Sequence, residues 1–289
     1  MKRYYKIGDF RFAVESDQDL RIPAHFSLFE TDEEDAETVY EIQLTDQLPE
    51  LTGTTVHKTD DMIITEEDGL ESRCISIYGT GRPYAVYKES DDGRILIYLD
   101  ASREEEVLSY DTTFSSMFAL EKRMWERDSL ILHSCSVTYR DGEAILFSAP
   151  SGTGKSTQGE LWRQNRGSRV INGDRNLLSR RDGSWYMRGW PVCGSSEICH
   201  NEEYPIKAIV MLEQAPEDHI EMLEGMKAYA RVFPEITCNR WNRTRLEKTM
   251  DQIETLINEV PVYLLKCTVS GDSVDILDHK LTEQEQNNE

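Results

Sequence analysis

The chain has 289 residues, of which 38% are hydrophobic, and its formal net charge is −22. This apolar content is enough to fill a core and excludes wholesale disorder. A surface so acidic repels phosphate backbones and anionic lipid, so nucleic acid and membrane are not expected as partners. Two interpretations of the negative charge stay open: it keeps the protein soluble, or, more specifically, it attracts a basic peptide.

No stretch reaches the roughly 20 apolar residues that a bilayer crossing needs. The charged start Met1–Lys6 lacks the apolar run of a secretion signal. The six cysteines are scattered, so we expect free thiols and the reducing cytoplasm. Cys193, Cys199 and His200 lack the spacing of a zinc knuckle, and no second pair follows nearby, so no metal site is assigned to them.

Residues 1–108 are predicted to form short strands between polar turns. Alternating apolar and aromatic residues in Phe10–Val14, Thr38–Leu44 and Ile95–Leu99 are typical of half-buried strands. The acidic run Glu30–Glu37 is expected to be a solvated loop. Because this region contains no catalytic constellation, we interpret it as a β-rich accessory domain.

From residue 109 to residue 289 the pattern is different. Thr113–Asp128 has the apolar face of one helix, and strand and helix signals alternate after it, which implies an α/β layer architecture. Strands are predicted over Tyr204–Leu212 and Val260–Cys267, and an amphipathic helix over Arg245–Ile257. The apolar face of that helix is predicted to consist of Leu246, Met250, Ile253 and Ile257.

A glycine-rich loop follows the predicted strand Glu143–Phe147 and precedes a predicted helix, Lys155–Gln164. The loop consists of Ala149, Pro150, Ser151, Gly152, Thr153, Gly154, Lys155, Ser156 and Thr157. Its glycines let backbone N–H groups approach a bulky anion, and the helix N-terminus favours negative charge. Lys155 can reach the β and γ phosphates, and Ser156 can ligate Mg²⁺. The context predicts a P-loop that binds the triphosphate of ATP or a close relative; the alternative is an ordinary glycine turn.

A second predicted strand, Ser129–Tyr139, comes before the loop strand. Asp141-Gly142 between them is a strong hairpin signal. Symmetric pairing about this turn places His133 opposite Pro150, at the mouth of the loop. A histidine there can touch a phosphate or an acceptor hydroxyl, and a purely structural histidine is equally compatible with the geometry.

A hairpin carrying a histidine ahead of a P-loop resembles the kinase domain of HPr kinase/phosphorylase. The resemblance is closer to the HPr-kinase-like proteins of peptide-modification gene cassettes, and it extends over about residues 128–270. It implies a mixed-sheet α/β P-loop kinase fold, shared with the ATP-dependent phosphoenolpyruvate carboxykinases, preceded here by the β-rich N-terminal domain. His133 matches a histidine that precedes the loop in that family.

The resemblance assigns further site residues. Asp174 matches the last aspartate of an acidic pair, which serves as catalytic base, whereas Gly173 replaces the first acid. Asp174 is therefore expected to accept the proton of the attacking hydroxyl, or to hold Mg²⁺ with Ser156. Arg188 resembles the arginine of the next motif and is a candidate for contact with the γ-phosphate. Trp190–Gly194 resembles a Pro-x-x-Gly segment of the cassette proteins.

The resemblance implies an ATP-dependent serine kinase that acts on a hydroxyl of a peptide or small protein, with Asp174, His133 and Arg188 as catalytic residues. ATP and Mg²⁺ are the expected cofactors. Two alternatives stay open, namely a nucleotide-binding switch without phosphotransfer and a small-molecule kinase. Residues 1–108 are expected either to present the peptide or to form the interface of a homo-oligomer.

Overall fold

The computed structural model describes residues 1–140 and 142–288 of the chain. The chain divides into two units, Met1–Arg123 and Met124–Glu289, so that residues 109–123 belong to the first. Each unit is built on a large sheet with both parallel and antiparallel strand pairs, and the structure is mixed α/β. In the described part of the chain, no helix combines the length and apolar character that crossing a membrane requires.

The described part of the first unit forms a sheet of eight strands in the order β1-β2-β3-β8-β7-β6-β5-β4. The strands are β1 (Lys2–Ile7), β2 (Phe10–Ser16), β3 (Thr38–Thr45), β4 (Thr54–Lys58), β5 (Met62–Glu67), β6 (Leu70–Ile77), β7 (Arg82–Glu89) and β8 (Arg94–Asp100). The helices are α1 (Ala24–Ser27), α2 (Glu104–Leu108), α3 (Asp111–Ser116) and α4 (Leu120–Glu126), the last of which crosses the unit boundary. The predicted strands in β2, β3 and β8 are confirmed.

The prediction of a single helix over Thr113–Asp128 is wrong, because α3 and α4 are separated at Ala119, whose φ is +49°. The break follows from aromatic packing. The rings of Phe114 and Phe118 lie 5.0 Å apart, and the Tyr40 ring lies 5.0 Å from Phe118. Tyr40 Oη also donates to the carbonyl of Phe118 at 3.0 Å. Tertiary contacts thus outweigh the helical periodicity of this segment.

In the second unit the strand order is β10-β9-β12-β13-β14-β16-β15, and β11 pairs with β9. Strand β10 also pairs with β14, so β10, β9, β12, β13 and β14 close a ring. The strands are β9 (Leu130–Tyr139), β10 (Glu143–Ser148), β11 (Val170–Asn172), β12 (Arg175–Arg181), β13 (Ser184–Arg188), β14 (Glu203–Gln214), β15 (His219–Leu223) and β16 (Val262–Cys267). The helices are α5 (Lys155–Arg166), α6 (Gly225–Val232), α7 (Arg243–Glu259) and α8 (Asp272–Asn288).

Alternation along β10 builds two apolar clusters. Ala144 and Leu146 lie in a cluster with residues of α6 and α7. Ile145 and Phe147 lie in a second cluster with residues of α5 and α8. The central sheet is therefore covered on both faces, and the C-terminal end of β10 runs directly into the glycine-rich loop.

The predicted hairpin of β9 and β10 forms, but its predicted register is wrong by one residue. Tyr139 pairs with Glu143 and Ser134 with Ser148, so three residues rather than two connect the strands. Arg140 enters the left-handed region with φ +47°, whereas Asp141 of the predicted turn lies outside the described residues. His133 consequently does not pair with Pro150; instead, Ser148 Oγ donates to its carbonyl at 2.8 Å.

The predicted apolar face of α7 is only partly right. Ile253 is buried, Leu246 and Ile257 are half-buried, and Met250 is exposed. The residues that α7 buries are Arg245, Thr249, Ile253 and Leu256. The helix is thus rotated from the orientation that apolarity predicts, because the long stem of Arg245 and the Thr249 hydroxyl, which donates to the Arg245 carbonyl at 2.8 Å, are accommodated inside.

Gly159 lies where α5 packs against β9. A Cβ at this position would lie 2.8 Å from Cys135 Sγ. We therefore expect Gly159→Ala to lower the free energy of unfolding by about 1–2 kcal/mol by overpacking, although alanine is the better helix former. Urea unfolding would measure this, and the double variant with Cys135→Ala should recover part of the loss. A Gly159→Ala protein as stable as the wild type would contradict the packing.

Candidate functional site

The glycine-rich loop connects β10 to α5 and is held open by two glycines. Gly152 has φ +80° and Gly154 has φ +122°, conformations that residues with a Cβ rarely adopt. The loop folds back through a hydrogen bond from Thr153 N to the Pro150 carbonyl at 3.3 Å. The first turn of α5 is closed by Gln158 N donating to the Gly154 carbonyl at 2.9 Å. The loop therefore ends directly at a helix N-terminus.

Lys155, the first residue of α5, turns its ammonium onto its own loop. Its Nζ donates to the carbonyls of Ala149 and Pro150 at 2.8 and 3.4 Å, and the residue is only 7% exposed. Within the described residues no carboxylate reaches ion-pair distance of it. Burial lowers the pKa of Lys155, and the more distant carboxylates of Glu235 and Asp174 partly oppose this. A cation without a close counter-ion thus stands at the end of the loop.

His133 lies between two carboxylates. Its Nδ1 is 3.0 Å from Glu235 Oε2, and its Nε2 is 3.4 Å from Asp174 Oδ1. Ionised carboxylate oxygens only accept hydrogen bonds. A ring nitrogen of His133 must therefore carry a proton when it donates a hydrogen bond to the carboxylate that it faces. The structure therefore brings together His133 and Asp174, two of the candidate site residues, and adds Glu235 to them.

Three segments hold this cluster in place. Arg175, the first residue of β12, pairs with His133 in β9, and Ser134 N donates to the Asp174 carbonyl at 2.9 Å. On the other side of the cluster, Ile236 forms a bridge with Leu132 of β9, which fixes the turn that carries Glu235. The side chains of His133, Asp174 and Glu235 are thus positioned by β9 and by the segments whose backbones bind to it.

The ionised form of Asp174 is stabilised by two neighbouring groups, His133 and Arg175. Burial raises the pKa of its carboxyl, but the hydrogen bond from His133 and the guanidinium of Arg175 outweigh burial and hold the pKa below its ordinary value. Arg175 Nε lies 3.3 Å from Asp174 Oδ2, and its guanidinium also donates to Thr237 Oγ1 at 3.0 Å. Asp174 is therefore ionised at neutral pH.

Asn172 fixes the turn that presents Asp174. Its buried Oδ1 accepts from the backbone N–H groups of Asp174 and Arg175 at 2.9 and 3.1 Å. Its Nδ2 donates to the carbonyls of Trp190 and Val192 at 2.9 and 3.2 Å. One amide thus ties the Asp174 turn to the segment that resembles the Pro-x-x-Gly element.

That segment also explains why Gly173 carries no acid. A Cβ on Gly173 would lie 1.9 Å from Ser196 Oγ, so the place of a side chain is already filled. Ser196 Oγ is held there by donating to the Cys193 carbonyl at 2.7 Å. Gly194 approaches from the same segment, since a Cβ there would meet the Asp174 carboxylate at 3.0 Å.

The structure places the remaining predicted residues as follows. Ser156 and Thr157 are exposed on the first turn of α5. Arg188 is bound to Glu203, whose Oε2 accepts from its Nε at 2.5 Å, and its side chain is only 9% exposed. Arg175 is 39% exposed and contacts Asp174. Arg175 is thus the accessible arginine beside the cluster.

Sequence reasoning missed Glu235, Asn172 and Arg175. The Asn-Gly-Asp sequence was an available signal for Asn172, because asparagine side chains commonly hold turns of this kind. Arg175 directly follows a predicted site residue. Glu235 had no local signal, because only long-range pairing with β9 brings it to His133.

A family model described as "SynChlorMet cassette protein ScmC" matches residues 97–282, which is more than half of the chain. The chain belongs to the ScmC family. No curated protein matches the chain significantly. Among solved structures, the Hpr(Ser) kinase/phosphatase from Coxiella burnetii is similar, with 11% identity, 55% of this chain and 91% of that chain covered, and a TM-score of 0.32. A TM-score this low does not establish a shared fold.

In this ScmC-family chain we expect Gly173→Ala to displace the segment around Ser196 and to lower the unfolding free energy by about 1–3 kcal/mol. Thermal unfolding would measure the loss, and Ser196→Gly in the same protein should restore most of it. Gly142→Ala is the matched control, since a Cβ there meets nothing within 4 Å. Equal stability of the Gly173 and Gly142 variants would show that residue 173 has room for a side chain.

Proposed function

We propose that the chain is an ATP-dependent kinase that transfers the γ-phosphoryl group to a serine- or threonine-type hydroxyl of a peptide or small protein. The observation that carries the proposal is the buried ammonium of Lys155, at the end of a glycine-rich loop and within the electrostatic reach of Asp174 and Glu235. A cation for the phosphates and a carboxylate for the proton are the two parts that such a transfer needs.

The donor set fits a triphosphate. Lys155 is held only by neutral carbonyls, so an anion would supply the counter-charge that the buried ammonium lacks. Gly152 and Gly154 face open space, where a Cβ would meet nothing within 4 Å. The backbone of the loop and the N-terminus of α5 add further attraction for negative charge.

Mg²⁺ would be held by the exposed hydroxyl of Ser156 together with the carboxylate of Asp174, and would shield the phosphate charge. The lowered pKa of Asp174 keeps its carboxylate ionised, as metal ligation requires. Hydroxyl and carboxylate oxygens are suitable donors for this ion. His133, by contrast, is engaged by two carboxylates and is not assigned to the metal.

In the proposed transfer, each bond that forms is matched by a bond that breaks, and Asp174 receives the proton. The acceptor oxygen forms a bond to the γ-phosphorus, the bond to the β,γ-bridging oxygen breaks, and the hydroxyl proton passes to Asp174. His133 fixes the orientation of the Asp174 carboxylate, and Glu235 fixes the orientation of His133. Arg175, which contacts Asp174, is proposed as a cation for the transferred group, and Arg188, which is bound to Glu203, stays a candidate for contact with the γ-phosphate.

The peptide acceptor rests on the resemblance to HPr-kinase-like proteins, with residues 1–108 as an accessory region that presents the peptide or mediates assembly. The six free thiols suit the reducing cytoplasm as the compartment. A nucleotide-binding switch would need the loop alone, so the cluster beside Lys155 favours transfer over this alternative. A small-molecule kinase would use the same residues and differs only in its acceptor.

We expect Asp174→Asn to lower the transfer rate by about 100-fold or more, the usual effect of losing a general base, and to leave Mg-ATP affinity within about tenfold. The measurement is transfer of label from γ-labelled ATP to peptides encoded beside the gene and to free hydroxyl metabolites. Asp182→Asn is the matched control, because Asp182 lies in the exposed turn between β12 and β13.

Full activity of Asp174→Asn would reduce Asp174 to a turn residue and refute its assigned role. Label transfer to metabolites alone would refute the peptide acceptor. Nucleotide binding without transfer to any acceptor would favour the switch.

A further inference from the structure

Helices α6 and α7 border a groove on the second unit that the proposed chemistry does not use. The groove has a volume of about 420 Å³. We call it the α6–α7 groove, and its lining consists of Gly225, Met226, Tyr229, Met250, Asp251, Glu254, Ile257 and Asn258. Its position follows from the rotation of α7, which turns Met250 outward.

The groove exposes flexible apolar side chains. Met226 is 78% exposed and Met250 is 42% exposed, whereas Ala228 and Val232 of α6 and Ile253 and Leu256 of α7 are buried in the core. Unbranched, polarisable methionines adapt to the shape of a partner and are common at peptide-binding surfaces. The apolar content therefore suits a partner that brings its own apolar side chains.

The groove is also negatively charged. Neither Asp251 nor Glu254 forms an ion pair within the part of the chain that the structure describes. The hydroxyl of Tyr229 is buried and lacks a hydrogen-bond partner among the same residues. Burial raises the pKa of Tyr229, and the field of Asp251 and Glu254 adds to this effect. The groove thus offers exposed carboxylates that are not neutralised within the described residues and that a cationic partner would complement.

We propose that the α6–α7 groove binds an amphipathic, basic segment of the peptide substrate. The apolar side chains of that segment would pack against the two methionines, and its lysines or arginines would pair with Asp251 and Glu254. The identification of this partner as the substrate rests on the proposed function. The mode is a helix in a groove, in which apolar anchors give affinity and charges give orientation.

The groove is connected to the candidate site through α6. The Tyr229 ring stacks on Phe233 with centroids 5.7 Å apart, and the same turn continues to Glu235, which contacts His133. A peptide in the groove would therefore contact α6, which leads directly into the turn that carries Glu235. A second copy of the chain is a poor occupant, because it would bring the same unpaired carboxylates to the contact.

The test uses the full chain and a fluorescein-labelled helical peptide of leucine and lysine, about 14 residues or four turns long. Its counterpart carries glutamate in place of lysine. Fluorescence anisotropy should show binding of the lysine peptide and none of the glutamate peptide. Met226→Ser and Glu254→Lys should each weaken binding of the lysine peptide at least about tenfold. Glu217→Lys, which makes the same charge change at an exposed position outside the groove, should weaken it less than about twofold.

Equal weakening by Glu254→Lys and Glu217→Lys would overturn the proposal, since attraction would then come from net charge alone. Loss of self-association in Met226→Ser, seen by light scattering without a change in probe affinity, would overturn it in favour of a self-interface. Lys155→Ala should leave probe affinity unchanged, so failure of the groove and failure of the nucleotide site are separable. For a peptide that the protein phosphorylates, Glu254→Lys should raise KM and leave kcat unchanged. An unchanged KM would refute the assignment of the groove to the substrate.

Discussion

A buried ammonium without a close counter-ion is the constraint around which the second unit is arranged. Removing a charge from water is costly unless the charge is paired or hydrogen-bonded. Lys155 receives only carbonyl oxygens at close range, and the carboxylates of Asp174 and Glu235 act on it from farther away. These contacts offset part of the cost of burying the charge, and an anionic ligand of the proposed kind would supply the close counter-ion.

The acidity of the chain makes this local arrangement necessary. With a net charge of −22, the overall field would repel a triphosphate, so the proposed binding would depend on oriented groups at short range rather than on steering. Lys155, Arg175 and the backbone of the loop are such groups. The carboxylates of Asp174 and Glu235 meanwhile fix His133 through both ring nitrogens. Negative charge that weakens encounter with a nucleotide favours encounter with a basic peptide.

The sequence predicted those elements whose conformation depends on residues within one short segment. The strand, loop and helix around Lys155 follow from glycine freedom and helix-terminal preference within one segment. Asp174 beside His133 was expected from resemblance to a family. Glu235 was not, because the bridge between Leu132 and Ile236 joins residues far apart in sequence.

The wrong predictions have physical causes of the same kind. The hairpin register is shifted because Arg140 adopts a left-handed conformation and lengthens the turn. The helix before the second unit breaks at Ala119 because aromatic contacts bind Phe118. The burial of Arg245 and Thr249 in α7 reverses the expectation that Met250 lies inside. In the two helical segments a tertiary contact competes with a periodicity that the sequence shows correctly, whereas the hairpin register depends on the local conformation of the turn.

The most direct test is calorimetric titration of the full chain with Mg-ATP, compared with Lys155→Ala and with Lys227→Ala, an exposed lysine on α6. Charge-assisted hydrogen bonds from a buried ammonium contribute about 1.5–3 kcal/mol each. Loss of Lys155 should therefore weaken binding by about 100-fold or abolish it, whereas Lys227→Ala should bind as the wild type does. A folded Lys155→Ala protein that binds Mg-ATP with wild-type affinity would contradict the account.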